Sequence, residues 1–335
     1  MIFDIGVLMI AFALVAKGGG MFGDSSVQIA STLRVPRLII GGTLVSLATT
    51  IPELVVSVTA SYLGDSGIAL GNAVGSAIVD MGLVMGTVAL IIPVTVDRAV
   101  FRRRAWWVRI AALLLVIVSW NQVIGRLPAL GLFIFSCLYL FADYRFIKRK
   151  QNQESNSIDE APSTKRSSNI TIAVRFILGA ALVVVGSRLL LDSGTSLAAD
   201  LGVPSALIGF SVVAVGTSLP ELVTGISAAR KGVPDLSVGN VLGANLLNIA
   251  MIVGLAGTIR PLILEPFVQW YAYPWLFVFI AALGLTLGRS GTLDRKGGLI
   301  LIALYVLYLW VSSESALAPL RLIDRQSLLR NAEPL

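Results

Sequence analysis

The sequence predicts an all-α polytopic membrane protein with ten transmembrane helices, arranged as two inverted-topology repeats of five. Composition, segment length and an internal duplication each point to it. Of 335 residues, 56% are hydrophobic and 13% charged, about half the charged share of a soluble domain. Apolar segments of the length that crosses ~30 Å of hydrocarbon as a helix fall at about 3–30, 36–62, 67–93, 105–122, 127–147, 171–198, 204–230, 235–262, 270–288 and 297–313. The lipid bilayer is therefore the expected partner of most of the surface.

The first segment is apolar from Met1 to Val15 and carries Asp4 but no Lys or Arg. A cleaved signal peptide has a basic start, so this stretch is read as the first span. The longest polar break, rich in Ser, Asn, Gln and charge, runs from Lys148 to Asn169 and has the composition of a linker. The expected division is a first five-span repeat at 1–147, a cytoplasmic linker at 148–170, a second repeat at 171–314 and a tail at 315–335.

The two groups of five are copies. At a constant offset of 168 residues, Asp24 matches Asp192, Pro36 matches Pro204, Gly41 matches Gly209, Pro52-Glu53 matches Pro220-Glu221, Gly71-Asn72 matches Gly239-Asn240, Gly86 matches Gly254 and Pro93 matches Pro261. Equivalent points are five crossings apart, an odd number, so the second copy enters the membrane from the opposite side. Secondary transporters commonly use this plan. Charge supports it: with an external N-terminus, the cytoplasmic loops carry 16 basic residues and the external loops two, Arg126 and Arg260, as the positive-inside rule requires. Both termini are then expected outside the cytoplasm, in a multi-pass protein of the cell (inner or plasma) membrane.

Composition also excludes functions. The net charge of +7 sits in short loops and does not call for nucleic acid. Cys137 is the single cysteine and histidine is absent, which removes disulfides, Cys-based metal sites and histidine proton relays and leaves an intramembrane enzyme few nucleophiles or bases. Neither enzyme activity nor a cofactor is expected.

What remains is a polar constellation inside the spans. Pro52 and Pro220 each remove a backbone bond and clash with the carbonyl four residues back, at Ala48 and Gly216. Broken backbone at membrane depth is tolerated where it lines a cavity or is packed in protein. Glu53 and Glu221 lie near the middles of their spans, where an ionisable group marks function by default. Lys17 and Arg188 are the basic residues expected well inside spans, and they do not match across the repeat. A symmetric pair of acids without a symmetric pair of bases calls for an exogenous cation. Helical spacing places Thr49 and Thr50 on the face of Glu53, and Thr217 and Ser218 on that of Glu221. Asn72, Ser76 and Asp80 form one stripe, and Asn240, Ala244 and Asn248 its counterpart. Of these, Asp80 and Asn248 are assigned to the site, while Asn72 and Asn240 fit interhelical bonding equally well. All these donors are hard oxygens, suited to Ca2+ and Na+. Gly71/Gly75 and Gly239/Gly243 read as close-packing patterns, and Asp24 and Asp192 as interfacial caps or surface pairs.

These segments resemble the α-repeats of the cation/Ca2+ exchanger superfamily, especially its prokaryotic sodium/calcium exchanger-like branch. The second copy, Gly209-Phe-Ser-Val-Val-Ala-Val-Gly216-Thr217-Ser218-Leu-Pro220-Glu221-Leu with Gly239-Asn240-Val-Leu-Gly243-Ala-Asn-Leu-Leu-Asn248-Ile, is close to that signature. The resemblance implies an antiporter of exchanger-like fold that moves Ca2+ against Na+ by alternating access and functions as a monomer. H+/Ca2+ or K+-dependent exchange is the alternative, and a cation channel a distant one. It implies Glu53 and Glu221 as Ca2+ ligands shared with Na+, hydroxyls of Thr50, Ser76 and Ser218 at Na+ positions, carbonyls of Ser46, Thr49, Ala214 and Thr217 completing the shells, and Asp80 and Asn248 at the centre. The chain departs from the pattern in its first copy, Ser46-Leu-Ala-Thr-Thr50, in Ala244 where Ser is expected opposite Ser76, and in Asp80 and Asn248, which exchange the Asn and Asp of many members.

Overall fold

The computed structural model describes residues 2–32, 45–153, 169–202, 205–230 and 234–330. Pro36, Gly41, Gly42, Pro204, Arg34, Arg37, Lys165, Arg166, Lys231 and most of the linker lie outside them.

Among the described residues the chain forms ten helical rods. The first is α1 (Ile2–Thr32). The second is broken into α2 (Val45–Thr49) and α3 (Ile51–Leu63). The third, α4 (Ser66–Val79), passes through a π-helical turn at Asp80–Val84 into α5 (Met85–Ile91). Then come α6 (Arg98–Val118) and α7 (Arg126–Gln153). The second half begins with α8 (Asn169–Leu201). Its next rod joins α9 (Ser205–Ile208), a π turn at Gly209–Val213, α10 (Ala214–Thr217) and α11 (Leu219–Arg230). The eighth, α12 (Pro234–Leu246), runs through a π turn at Leu247–Ile252 into α13 (Val253–Ile259). The last two are α14 (Tyr273–Ser290), entered by a π turn at Val268–Ala272, and α15 (Arg295–Arg330).

Eight rods are long and apolar enough to span a membrane by themselves. The others are the broken second rod and α6, whose start is rich in arginine. Helix α6 begins at Arg98, not near residue 105, because Asp97 caps it by accepting from the amides of Ala99 and Val100 at 2.8 and 3.4 Å. Arg102 to Arg104 therefore belong to the helix, not to a loop. Arg104 is buried and paired to Asp143 of α7 at 2.8 Å, which adds a buried arginine near the start of α6 to Lys17 and Arg188, both of which lie within helices long and apolar enough to span. Lys17 is exposed, and Arg188 forms a surface pair with Asp192 one turn on, at 3.1 Å. Helix α15 continues to Arg330, well past residue 313.

Two short antiparallel ribbons reveal the inversion. Strand β1 (Val94–Thr95) pairs with β4 (Thr292–Leu293), and β2 (Val123–Ile124) with β3 (Leu262–Ile263). Shifting β1 by 168 residues gives β3, and shifting β2 brings it within one residue of β4. The repeat operation thus exchanges one ribbon for the other. Each ribbon joins loops six or four spans apart, which must share a face, and the two ribbons belong to opposite faces. Packing repeats the pattern: α7 lies against α13 as α15 lies against α5, and α3 against α4 as α11 against α12. The crossings are close because glycines admit bare backbone. A Cβ at Gly71 would stand 2.7 Å from the Ala206 carbonyl and 2.9 Å from the Gly209 Cα, and one at Gly18 would stand 2.9 Å from the Gly179 carbonyl.

At the face of the β2–β3 ribbon, Asp65 caps α4 through the Ile68 amide at 2.8 Å and accepts the Ser205 hydroxyl at 3.0 Å. Glu265 reaches the same corner beside Gly67. Burial raises the Glu265 carboxyl above its ordinary 4.5, opposed by a bond from the Ala206 amide and reinforced by the Asp65 charge. A carboxyl with a raised folded value binds its proton more tightly folded than unfolded, so stability falls as pH rises from the unfolded value through the folded one. Glu265→Gln is expected to flatten that fall. Melting temperatures of both proteins measured between about pH 4 and about pH 7 check this: parallel curves would refute it.

Candidate cation site

Both Pro-Glu segments break their rods one residue before the helix resumes. Thr50 (φ −81°, ψ 0°) and Ser218 (φ −81°, ψ 5°) leave helical geometry in the same way, since the ring of the following proline excludes a regular turn. The regular bonds persist on either side, from the Thr50 amide to the Ser46 carbonyl at 3.0 Å and from the Ser218 amide to the Ala214 carbonyl at 3.1 Å. Gly19 of α1 lies over both prolines.

The break aims the side chains at the opposite half. Ser218 of the second half donates to Glu53 Oε1 of the first at 3.4 Å and also faces Asp80. Thr217 also faces Glu53, and Thr49 of the first half lies beside Glu221 of the second. Glu221 is within Coulombic reach of both Glu53 and Asp80. Thr217 Oγ1 donates to Asn72 Oδ1 at 2.9 Å and lies 3.3 Å from Ser76 Oγ. Its repeat mate Thr49 stands 3.5 Å from Asn240 Oδ1. Ser46 donates to the Asn240 carbonyl at 3.0 Å. Ser46, Thr49, Glu53, Ser76 and Asp80 of the first repeat thus meet Thr217, Ser218, Glu221 and Asn240 of the second, while no hydrogen bond among the described residues ties Asn248 to them.

All of it is buried: Glu53 is 0% exposed, and Asp80, Glu221 and Asn248 are 1% exposed each. Yet Glu53 Oε2, Asp80 Oδ1, both Glu221 carboxylate oxygens and both polar atoms of the Asn248 amide have no hydrogen-bond partner among the described residues. A charged group left this way inside a protein is strongly disfavoured. Asp80 and Asn248 each open a π-helical turn or lie within its first two residues, a feature frequent at functional sites.

Among the described residues no three Asp, Glu, His or Cys side chains gather tightly enough to hold a metal ion unaided. A cation here needs hydroxyl, amide or carbonyl oxygens besides the carboxylates, and those are the neighbours present. Some are already engaged. The Ser46 carbonyl accepts from the Thr50 amide and both threonine hydroxyls, and the Ala214 carbonyl accepts from Ser218 and Thr217. Asn72 spends its whole amide on interhelical bonds, donating to the Glu53 carbonyl at 3.1 Å and to Ser57 at 2.9 Å while accepting from Thr217.

Asn245 was not legible as part of this cluster. In the amide orientation that satisfies its neighbours, Nδ2 donates to Asp80 Oδ2 at 3.2 Å and to the Ala77 carbonyl at 3.3 Å. Its repeat mate is Ala77, so comparing the two copies gives no signal.

The sequence matches the sodium/calcium exchanger protein family over residues 3–145 and 171–313, which are the two repeats. The chain belongs to the sodium/calcium exchanger family. Relatives of this exchanger include the Escherichia coli inner membrane protein YrbG, 30% identical over 93% of this chain and 98% of that protein. Another is the sodium/calcium exchanger MaX1 of Methanosarcina acetivorans, 31% identical over 91% and 97%. The fold is that of the sodium-calcium exchanger NCX_Mj: its structure from crystals soaked with 100 mM Na+ and 10 mM Sr2+ superposes with a TM-score of 0.65 at 28% identity, over 91% of this chain and 97% of that one.

Proposed function

We propose that this exchanger is a secondary antiporter that moves Ca2+ against Na+ by alternating access, from one site within the membrane built by both repeats. The observation that carries this reading is the set of cross-half bonds from Ser218 to Glu53, from Thr217 to Asn72 and from Ser46 to the Asn240 carbonyl, around carboxylate oxygens that no donor among the described residues satisfies. Glu53, Glu221 and Asp80 supply charge. Asn248, the hydroxyls of Thr50, Ser76 and Ser218, and carbonyls of Ser46, Thr49, Ala214 and Thr217 supply neutral oxygens toward the 6–8 that Ca2+ takes. The bonds already made at the Ser46 and Ala214 carbonyls then loosen or share as an ion enters.

Three buried carboxylates without a counter-charge resist reorientation. Ca2+ or several Na+ relieve that penalty, so each half-cycle runs loaded and transport is obligatory exchange. The cargo is moved without chemical conversion, and a single chain contains the whole site. In proteoliposomes, an imposed Na+ gradient is expected to drive Ca2+ uptake where a pH gradient alone does not. Uptake driven by the pH jump alone would establish H+/Ca2+ exchange instead, the reading that the missing hydroxyl at Ala244 favours.

With both termini outside the cytoplasm, the β1–β4 ribbon faces the cytoplasm and β2–β3 faces outward. In a Cys137→Ser background, a cysteine at Ile263 is expected to react with a membrane-impermeant maleimide in intact cells, and one at Thr292 only after permeabilisation. The reverse pattern would invert the assignment. Labelling of both from one side would contradict the inverted repeat.

A further inference from the structure

The arginines of α6 divide between its two neighbours. Arg104 and Arg103 turn to α7, where Asp143 pairs with them at 2.8 and 3.6 Å, and the Arg103 guanidinium lies 3.8 Å over the Phe146 ring. Arg98 turns to α14 and donates to the Ser290 carbonyl at 2.9 Å. Arg109 lies about 16 Å further along the α6 axis than Arg98, at 1.5 Å per residue. It stands beside Trp106, Leu113 and Ile117, all exposed. Its guanidinium, half-buried, fills the room left by a glycine of α14: a Cβ at Gly284 would stand 2.8 Å from Nη2.

Among the described residues Arg109 makes no hydrogen bond or ion pair. The acids at that end of the two helices, Asp97 and Asp294, accept from the amides of Ala99, Val100 and Gly297 at the starts of α6 and α15. A guanidinium keeps its proton, and its charge is costly in hydrocarbon unless it reaches the interface or a counter-charge meets it. Helical side chains lean toward the helix N-terminus, so Arg109 snorkels toward the leaflet on the side of the β1–β4 ribbon. Arg102, exposed and one heptad earlier, lies on the same face to within about 20°. It uses only Nε, on the Arg98 carbonyl at 3.4 Å. Two arginines thus bracket Trp106 at the lipid boundary, with no acid opposite either.

We propose that the groove between α6 and α14 holds the phosphate of an anionic phospholipid from the leaflet of the β1–β4 ribbon. Arg109 grips the phosphate with the fork of its guanidinium, in the room that Gly284 leaves. Arg102 adds a second positive charge, and the pair favours a headgroup of net negative charge over a zwitterionic one. The acyl chains lie along Leu113 and Ile117 of α6 and Val278 of α14, all exposed. The ribbon and the Arg98–Ser290 bond already tie these two helices at their ends, and the lipid extends that tie into the membrane.

Native mass spectra of the full-length chain, released from detergent and titrated with phosphatidylglycerol or phosphatidylcholine of identical acyl chains, test this. Wild type is expected to hold one phosphatidylglycerol about fivefold more tightly than Arg109→Leu, the factor that one basic residue contributes near an anionic surface. Phosphatidylcholine should bind both alike. Arg109→Lys keeps the charge without the fork and should fall between them. Arg109→Gln carries the test if the leucine variant does not elute as a monodisperse species. Arg149→Leu removes an exposed charge near the far end of α7 and should leave the affinity unchanged. Equal losses in Arg109→Leu and Arg149→Leu would show diffuse attraction to net charge and overturn the proposal. So would a wild type that does not prefer phosphatidylglycerol. Displacement of the lipid by excess inorganic phosphate, or a dimer whose abundance phosphatidylglycerol leaves unchanged, would give the groove to another occupant and equally overturn it.

Discussion

Glu53→Gln is expected to abolish Ca2+ flux and to weaken Ca2+ binding by about 10²–10³-fold. The glutamine keeps the shape of the side chain and its acceptor for Ser218, 3.4 Å away, but removes the charge from a fully buried site. Uncompensating one member of a buried charge group costs about 3–5 kcal/mol, and each 1.4 kcal/mol is about tenfold in affinity. Because Glu221 occupies the equivalent place and neither of its oxygens has a hydrogen-bond partner among the described residues, Glu221→Gln should cost as much. Flux assays in proteoliposomes check this. A Glu53→Gln protein that retains wild-type Ca2+ exchange would remove the carboxylate from the transport site. Thermal stability should not fall with activity, since relieving buried charge removes repulsion among Glu53, Asp80 and Glu221.

The second large effect concerns the scaffold. Asp143 is 2% exposed and held by Arg104 at 2.8 Å, with Arg103 further off at 3.6 Å. Trp107 and Tyr139 pack edge to face beside the pair. Arg104→Met removes the 2.8 Å partner of a buried carboxylate, at a cost of about 3 kcal/mol, seen as a melting temperature lower by roughly 5 °C. Arg104→Met/Asp143→Leu should recover most of the loss, because replacing both members by apolar groups is close to neutral. Equal melting temperatures for wild type and Arg104→Met, or a double variant worse than the single one, would contradict this.

The architecture was legible because the repeat is strict. A constant offset of 168 residues over matched Pro, Glu, Gly and Asn positions needs only parity to become an inverted topology, and the ribbons express that parity in backbone pairing. The burial of the acidic and hydroxyl residues inside the bundle was legible because an ionisable group in an apolar segment is costly toward lipid and turns to the protein interior. The Arg104–Asp143 pair was not, because its partners lie 39 residues apart and arginines near a span end read as loop charge. Their long stems let the helix begin earlier than hydropathy suggests. Asn72 was ambiguous because an amide serves ions and helices alike. Only the geometry shows both of its ends consumed.

If two inverted copies build one Ca2+ site, neither copy binds the ion alone. Equilibrium binding of radiolabelled Ca2+ to the purified chain in nominally Na+-free buffer tests this most directly. One Ca2+ per chain is expected, lost in Glu53→Gln and equally in Glu221→Gln. Two Ca2+ per chain, with each variant losing only one, would mean that each repeat carries its own site and would contradict the shared one.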